Sequence, residues 1–216
     1  MSTRRAGPSR YGSSRQVGIR PTRPVVIVVC DDAQTAVKYF YEIKREVKDG
    51  VTVEVVPAPC HGASADKVLQ LAIEHRKALR EEKSHARQDK DLVWALIDLE
   101  AEPHKQSQAR EAQGEGTRKG VNVALSMPCF EVWTLAHFVD TGEAFQNCAA
   151  VLDRLKTEWA KRFNTELRKA QADYSKLMQY RGQAVQWSKR RKARKDQSWT
   201  EVYKVVEAIE SLASGQ

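Results

Sequence analysis

Three acids in this chain are spaced so that one fold would gather them. Asp31 comes just after the apolar run Val25–Val29, and Asp98 ends the apolar run Leu92–Ile97, with Glu100 two residues on. If both runs are parallel strands of one sheet, their C-terminal ends share an edge, and ligands of open α/β sheets bind at that edge. In an extended stretch, residues two apart point the same way, so Asp98 and Glu100 would aim together. Three carboxylates at one edge repel each other unless a cation sits among them. Hard oxygen donors of this kind suit Mg²⁺ or Mn²⁺, and the chemistry they support is metal-assisted phosphodiester transfer or hydrolysis. A plainer role competes with this one: an acid after a strand is often a helix N-cap, so Asp31 or Asp32 could cap the helix that follows.

Other residues are secondary candidates. Glu131 lies near the start of an expected helix, where it could join the carboxylates or act as general base. It could equally serve the helix N-terminus, where the macrodipole favours an acid. His137 is six residues further along the same helix and does not share its face. Its neighbours Trp133 and Phe138 suggest a satisfied core histidine, and Trp133 itself reads as core. His61 and His104 fall in loops and are weaker candidates. The four cysteines, Cys30, Cys60, Cys129 and Cys148, are far apart and form no CxxC pair, a spacing that argues against zinc. Cys30 and Cys129 border apolar segments and read as buried reduced thiols.

The elements that must position these groups follow from periodicity. Val25–Val29 is an unbroken β-branched run, which is how a strand buried on both faces looks. Val51–Val56, Leu92–Ile97 and Val121–Leu125 are the other expected strands. Helices are expected over 33–48, 65–82 (with Ser64 as N-cap) and, more briefly, 104–112. Another starts at Ser126-Met127-Pro128, with Pro128 near its first turn. Asp49-Gly50 is read as a helix stop. After Gly142 the pattern turns helical, over about 147–160, 164–180, 182–194 and 198–213, the last opened by a Ser198/Glu201 capping box. Strands separated by helices predict an α/β fold, with a mostly parallel four-stranded sheet flanked by helices and a C-terminal helical extension. The expected divisions are a disordered basic tail over 1–23, an α/β core over 24–140 and a helical region over 141–216.

Charge is unevenly spread. The net charge is +8, but residues 1–23 carry six arginines and no acid. The run 189–195 holds Lys189, Arg190, Arg191, Lys192, Arg194 and Lys195, another six positive charges, which leaves the remainder at −4. Six cations in seven residues repel unless something offsets them, so the run is a candidate nucleic-acid contact. An apolar share of 41% suffices for a real core. No apolar run approaches the roughly 18 residues a membrane helix needs, and no apolar leader is seen, so a cytoplasmic protein without membrane contact is expected.

The same residues carry a family resemblance. Val28-Val29-Cys30-Asp31-Asp32-Ala33-Gln34-Thr35, followed by Tyr39-Phe40, resembles the strand-end pattern of the RloB family. Val93–Ile97 with Asp98-Leu99-Glu100 resembles its apolar strand ending in Asp-x-Asp. Pro128-Cys129-Phe130-Glu131-Val132-Trp133, continuing to His137-Phe138, is the most specific match, and Trp199-Thr200-Glu201-Val202 resembles its last helix start. The resemblance spans about 24 to 213. It implies a TOPRIM-like core in which Asp31, Asp98 and Glu100 hold Mg²⁺, and a role in phage defence or abortive infection beside an ATPase or restriction-system partner. Oligomers are a separate option that the sequence leaves open. Asp31 stands where the family has Glu, Glu100 where it has Asp, and Met127 where it has Asn. Charge is kept while reach is redistributed, and a Mg²⁺ site is sensitive to reach. Two readings therefore stand: a Mg²⁺-dependent nuclease with Glu131 assisting, or a non-catalytic nucleic-acid- or partner-binding defence subunit with a degenerate metal site.

Overall fold

The computed structural model describes residues 23–31, 34–47, 49–59, 63–82, 90–100, 102–192 and 197–215. The tail over 1–22, Asp32, Cys60, His61 and the stretch 193–196 lie outside the described residues, as does the Lys192 side chain. Among the described residues, five strands form one sheet in the order β2-β1-β3-β4-β5. They are β1 (Val25–Cys30), β2 (Thr52–Pro57), β3 (Leu92–Asp98), β4 (Asn122–Met127) and β5 (Trp199–Thr200). The first four run parallel, and β5 pairs antiparallel with the end of β4. The fold class is the one expected. The fifth strand is an addition, and at two residues it is too short to show a period of its own.

The sheet is covered on both faces, and strand parity sorts the core. Val26, Val28, Cys30, Trp94 and Leu96 pack on one face with helix α1 (Thr35–Glu46) and the C-terminal helices. Val25, Ile27, Val29, Val93, Ala95 and Ile97 pack on the other face, against α2 (Ala65–Glu82) and α3 (Pro103–Lys119). This two-sided burial is why β1 reads as a continuous apolar run. The C-terminal helices α5 (Cys148–Phe163), α6 (Arg181–Lys192) and α7 (Val202–Ala213) contribute Val151, Leu155, Trp159, Ala184, Val202 and Val205 to the first cluster. The helical extension therefore shares its core with the sheet.

Several boundaries differ from expectation for local reasons. Helix α3 runs 17 residues rather than about nine. Its buried stripe is Ala109, Ala112 and Gly116, side chains too small to register as an apolar pattern. A Cβ on Gly116 would come 2.7 Å from Val123 Cγ2, so the glycine lets the helix lie close on β4. Pro128 precedes its helix rather than opening it. The Met127–Pro128 peptide is cis, and α4 covers only Glu131–Leu135. The helix expected over 164–180 is absent. Asn164, at φ +52°, ends α5, and a 3₁₀ helix over Tyr174–Tyr180 starts at Asp173. Gly50 is set by packing: a Cβ there would sit 2.2 Å from the Ala213 carbonyl oxygen.

The expected capping box does not form. The Ser198 hydroxyl accepts from the Phe145 N–H at 2.9 Å. The buried Glu201 carboxylate accepts from the Leu125 N–H at 3.2 Å and from Gln113 Nε2 at 3.0 Å, fastening β5 and α7 to β4.

Candidate active site at the sheet edge

The chain leaves β1 toward β2 and leaves β3 toward β4, in opposite directions across the sheet. Adjacent strands with diverging exits make a topological switch point, and a crevice opens beyond their carboxyl ends. Asp31 lies one residue past β1 and Asp98 ends β3, so both acids flank that crevice. A cleft of about 540 Å³ fills it, within the range of ordinary ligand sites. Asp31, Asp98, Glu100 and Glu102 line it together with Lys105. So do Ser64 and Ala65 at the start of α2, and Asn147 and Cys148 at the start of α5.

Helix α1 begins at Thr35 and its N-cap position is Gln34, three residues beyond Asp31. Glu100 departs from the extended geometry expected of it. β3 ends at Asp98, and Glu100 takes φ +47°, in the left-handed region. Its N–H donates to the Pro128 carbonyl at 3.0 Å, which pins the backbone there. Its carboxylate receives Lys105 Nζ at 2.5 Å, and that hydrogen bond raises the lysine pKa. A left-handed L-residue costs about 1–2 kcal/mol, whereas glycine adopts the region freely. Glu100→Gly is therefore expected to be more stable than Glu100→Ala by about 1 kcal/mol, although both lose the carboxylate. Paired urea titrations check this, and equal midpoints would remove the strain argument.

Among the described residues, the compact group of metal-type ligand atoms is Asp98, Cys129 and Cys148, all within 4.8 Å of one another. Asp31 and Glu100 line the cleft outside that group. The cysteine pair lies 19 positions apart in sequence, and only the packing of α5 against α4 brings it together. The hydrogen bond with Cys148, then burial, push the Cys129 thiol up. Lys105, Cys148 and Asn147 were not singled out by motif reasoning. Lys105 carried the one available signal, a cation five residues past Glu100 at the start of an expected helix.

Residues 26–209 match the family model for RloB-like protein. The chain belongs to the RloB-like family. Neither the curated proteins nor the solved structures gave a match. Among the described residues of this RloB-like protein, no helix is long and apolar enough to cross a membrane.

The other candidates fall at varied distances from the cleft. Glu131 of the RloB-like chain is buried in the first turn of α4 and is not among the residues lining the cleft. It forms an ion pair with Lys169 and accepts from the Thr35 hydroxyl at 3.2 Å, which accounts for its burial. His137 is fully buried. Its Nδ1 lies 3.0 Å from the Trp133 carbonyl oxygen and its Nε2 lies 3.2 Å from the Tyr39 hydroxyl. Tyr39 and Trp133 also pack edge-on against its ring. His104 is exposed beside Glu102.

Burial pushes the His137 pKa down to about 4, so the ring stays neutral in the fold. The unfolded chain takes up that proton near pH 6.5. Stability from this group is therefore present above pH 6.5 and is lost as the pH falls toward 4. The expected loss is about 3 kcal/mol between pH 7 and pH 4. Denaturation across that range checks it, and an unchanged slope in His137→Gln would assign the loss elsewhere.

The basic run is partly neutralised from within the RloB-like chain. Lys189 pairs with Glu207 at 2.5 Å. Arg190 and Arg191 both reach Asp140, at 2.6 and 2.5 Å, and Arg191 is only 4% exposed. The repulsion noted in the sequence is thus offset by this chain's own acids. Arg194 and Lys195 lie outside the described residues.

Proposed function

We propose that this RloB-like protein is a divalent-metal-dependent nuclease that cleaves phosphodiester bonds of RNA or DNA in phage defence. The observation that carries the reading is the make-up of the cleft: acids from the ends of β1 and β3 line it together with the first turns of α2, α3 and α5. Acids suit a dication, and helix N-termini and a lysine suit the phosphate that accompanies it.

The donor types of the cleft acids suit Mg²⁺ or Mn²⁺. Asp31, Asp98 and Glu100 offer hard oxygens, and Mg²⁺ needs only one or two carboxylates because it keeps several waters. Bound there, the ion would activate water and offset charge on the phosphate. The chain's own groups do the rest. The first turns of α2 and α5 orient phosphate oxygens. Lys105, already at the cleft, can turn from Glu100 to the substrate once that acid is engaged. Glu131 acts by position, holding α4 through Lys169 and Thr35. The 189–195 run and the basic tail would add backbone contacts, and an ATPase or restriction-system protein is the partner class the family suggests.

The test is incubation of the purified chain with labelled single- and double-stranded RNA and DNA, with Mg²⁺, Mn²⁺ or chelator. Cleavage that requires metal is expected. Failure on every substrate with both metals would turn the reading over to a second one. In that reading the cleft binds nucleic acid or a partner without cutting it, and the Lys105–Glu100 pair favours it because it satisfies Glu100 with no metal.

A further inference from the structure

The Asp98–Cys129–Cys148 cluster has no part in the nuclease reading beyond the carboxylate it shares. We propose that it is a thiolate site for a soft dication, Zn²⁺ by chemistry, with two sulfurs and one carboxylate oxygen as protein ligands and a fourth position open to the cleft. The three ligand atoms come from three separate elements: the end of β3, the turn after β4 and the first residue of α5. They meet within 4.8 Å of one another. A tetrahedral ion about 2.3 Å from two sulfurs holds them roughly 3.8 Å apart, so adjustments of about an ångström seat it.

The donor types decide the ion. Thiolates select Zn²⁺ and its soft relatives over Mg²⁺, Ca²⁺ and Mn²⁺. Three protein ligands with one position left over is the arrangement of zinc sites that admit water or substrate, whereas structural zinc sites close with four. Access also fits: Cys129 is buried, but Cys148 and Asp98 are part-exposed and line the cleft, so an ion can enter from that side. The positive end of the α5 dipole favours negative charge at Cys148. A dication beside Cys129 supplies the positive charge that burial otherwise denies a thiolate there.

The sequence argument against zinc rested on close ligand pairs. Here the pairing is made by the tertiary fold. An ion at this site takes up Asp98, one of the cleft acids, so it would compete with a hard dication for that carboxylate.

Co²⁺ alone is the probe, added to the reduced full chain under anaerobic conditions. The expected result is one Co²⁺ per chain, with a sulfur-to-cobalt charge-transfer band in the near ultraviolet, intense tetrahedral d–d bands in the visible, and displacement of both by Zn²⁺. Cys148→Ser changes a part-exposed residue by one atom and should fold. It is expected to lose the charge-transfer band and to weaken Co²⁺ binding by at least about tenfold. Asp31→Asn should keep the band. Circular dichroism verifies each fold, and Zn²⁺ should raise the melting temperature of the wild type but not of Cys148→Ser. No band in the reduced wild type, or an unchanged band in Cys148→Ser, overturns the site. This readout involves no cleavage, so its failure is separate from failure of the nuclease reading.

Discussion

Asp98→Ala is expected to lower metal-dependent cleavage by about 10³-fold or more while leaving the fold intact. A bound dication supplies several kcal/mol to phosphoryl chemistry, and each 1.36 kcal/mol is about a factor of ten in rate. Asp98 is the acid on which both neighbourhoods of the cleft converge. It ends β3 in register with Ser126, lines the cleft beside Asp31 and Glu100, and touches the cysteine cluster. The melting temperature of the unliganded protein separates a role in the chemistry from a role in the fold. Activity of purified Asp98→Ala and wild type is compared on whichever nucleic acid the wild type cleaves, with melting temperatures measured in chelator. Cleavage within threefold of wild type would remove Asp98 from the chemistry. A large fall in melting temperature would mean that its role is structural.

The second large effect concerns stability. Asp140→Ala is expected to cost about 2–3 kcal/mol, because among the described residues it leaves the buried Arg191 guanidinium with only the Val139 carbonyl as acceptor. Partial burial works against an ionised Asp140, but the hydrogen bonds and charge of Arg191, and then of Arg190, win and hold its carboxyl below the usual range. Breaking a fully buried pair costs more. Here the acid is 40% exposed, so water can reach the site and the figure is discounted. Arg190→Ala is the internal contrast. That side chain is 62% exposed, so its loss is expected to cost at most about 1 kcal/mol. Chemical denaturation of both variants checks the pair. Equal small losses would show that Arg191 does not depend on Asp140.

These expectations mark where the sequence could be read. The buried strands were legible because β-branched runs such as Val25–Val29 leave no polar face. The two acids at their ends were legible because a parallel sheet forces such ends to one edge. Helix α2 was legible in full, since its apolar stripe uses large side chains. What could not be read depends on tertiary partners. The continuation of α3 past residue 112 rests on Ala and Gly packing closely on β4. The short β5 exists only because Glu201 and Thr200 find partners on β4. The left-handed turn at Glu100 is held by the Pro128 carbonyl, a contact no spacing rule supplies. The neutralisation of Arg190 and Arg191 comes from an acid 50 residues earlier. The meeting of Cys129 with Cys148 is of the same kind: spacing rules for metal ligands describe loops that bring their own pairs, not ligands delivered by packed helices.

The claim that the cleft acids hold a hard dication is tested most directly by Mn²⁺ binding, read by electron paramagnetic resonance on the full chain. Mn²⁺ prefers oxygen donors to thiolates, so the measurement isolates the carboxylates from the cysteine cluster. The expected result is one bound Mn²⁺ per chain, displaced by Mg²⁺, retained in Cys148→Ser and lost in Asp31→Ala and Asp98→Ala. No bound Mn²⁺ in the wild type, or binding unchanged by both substitutions, would contradict it.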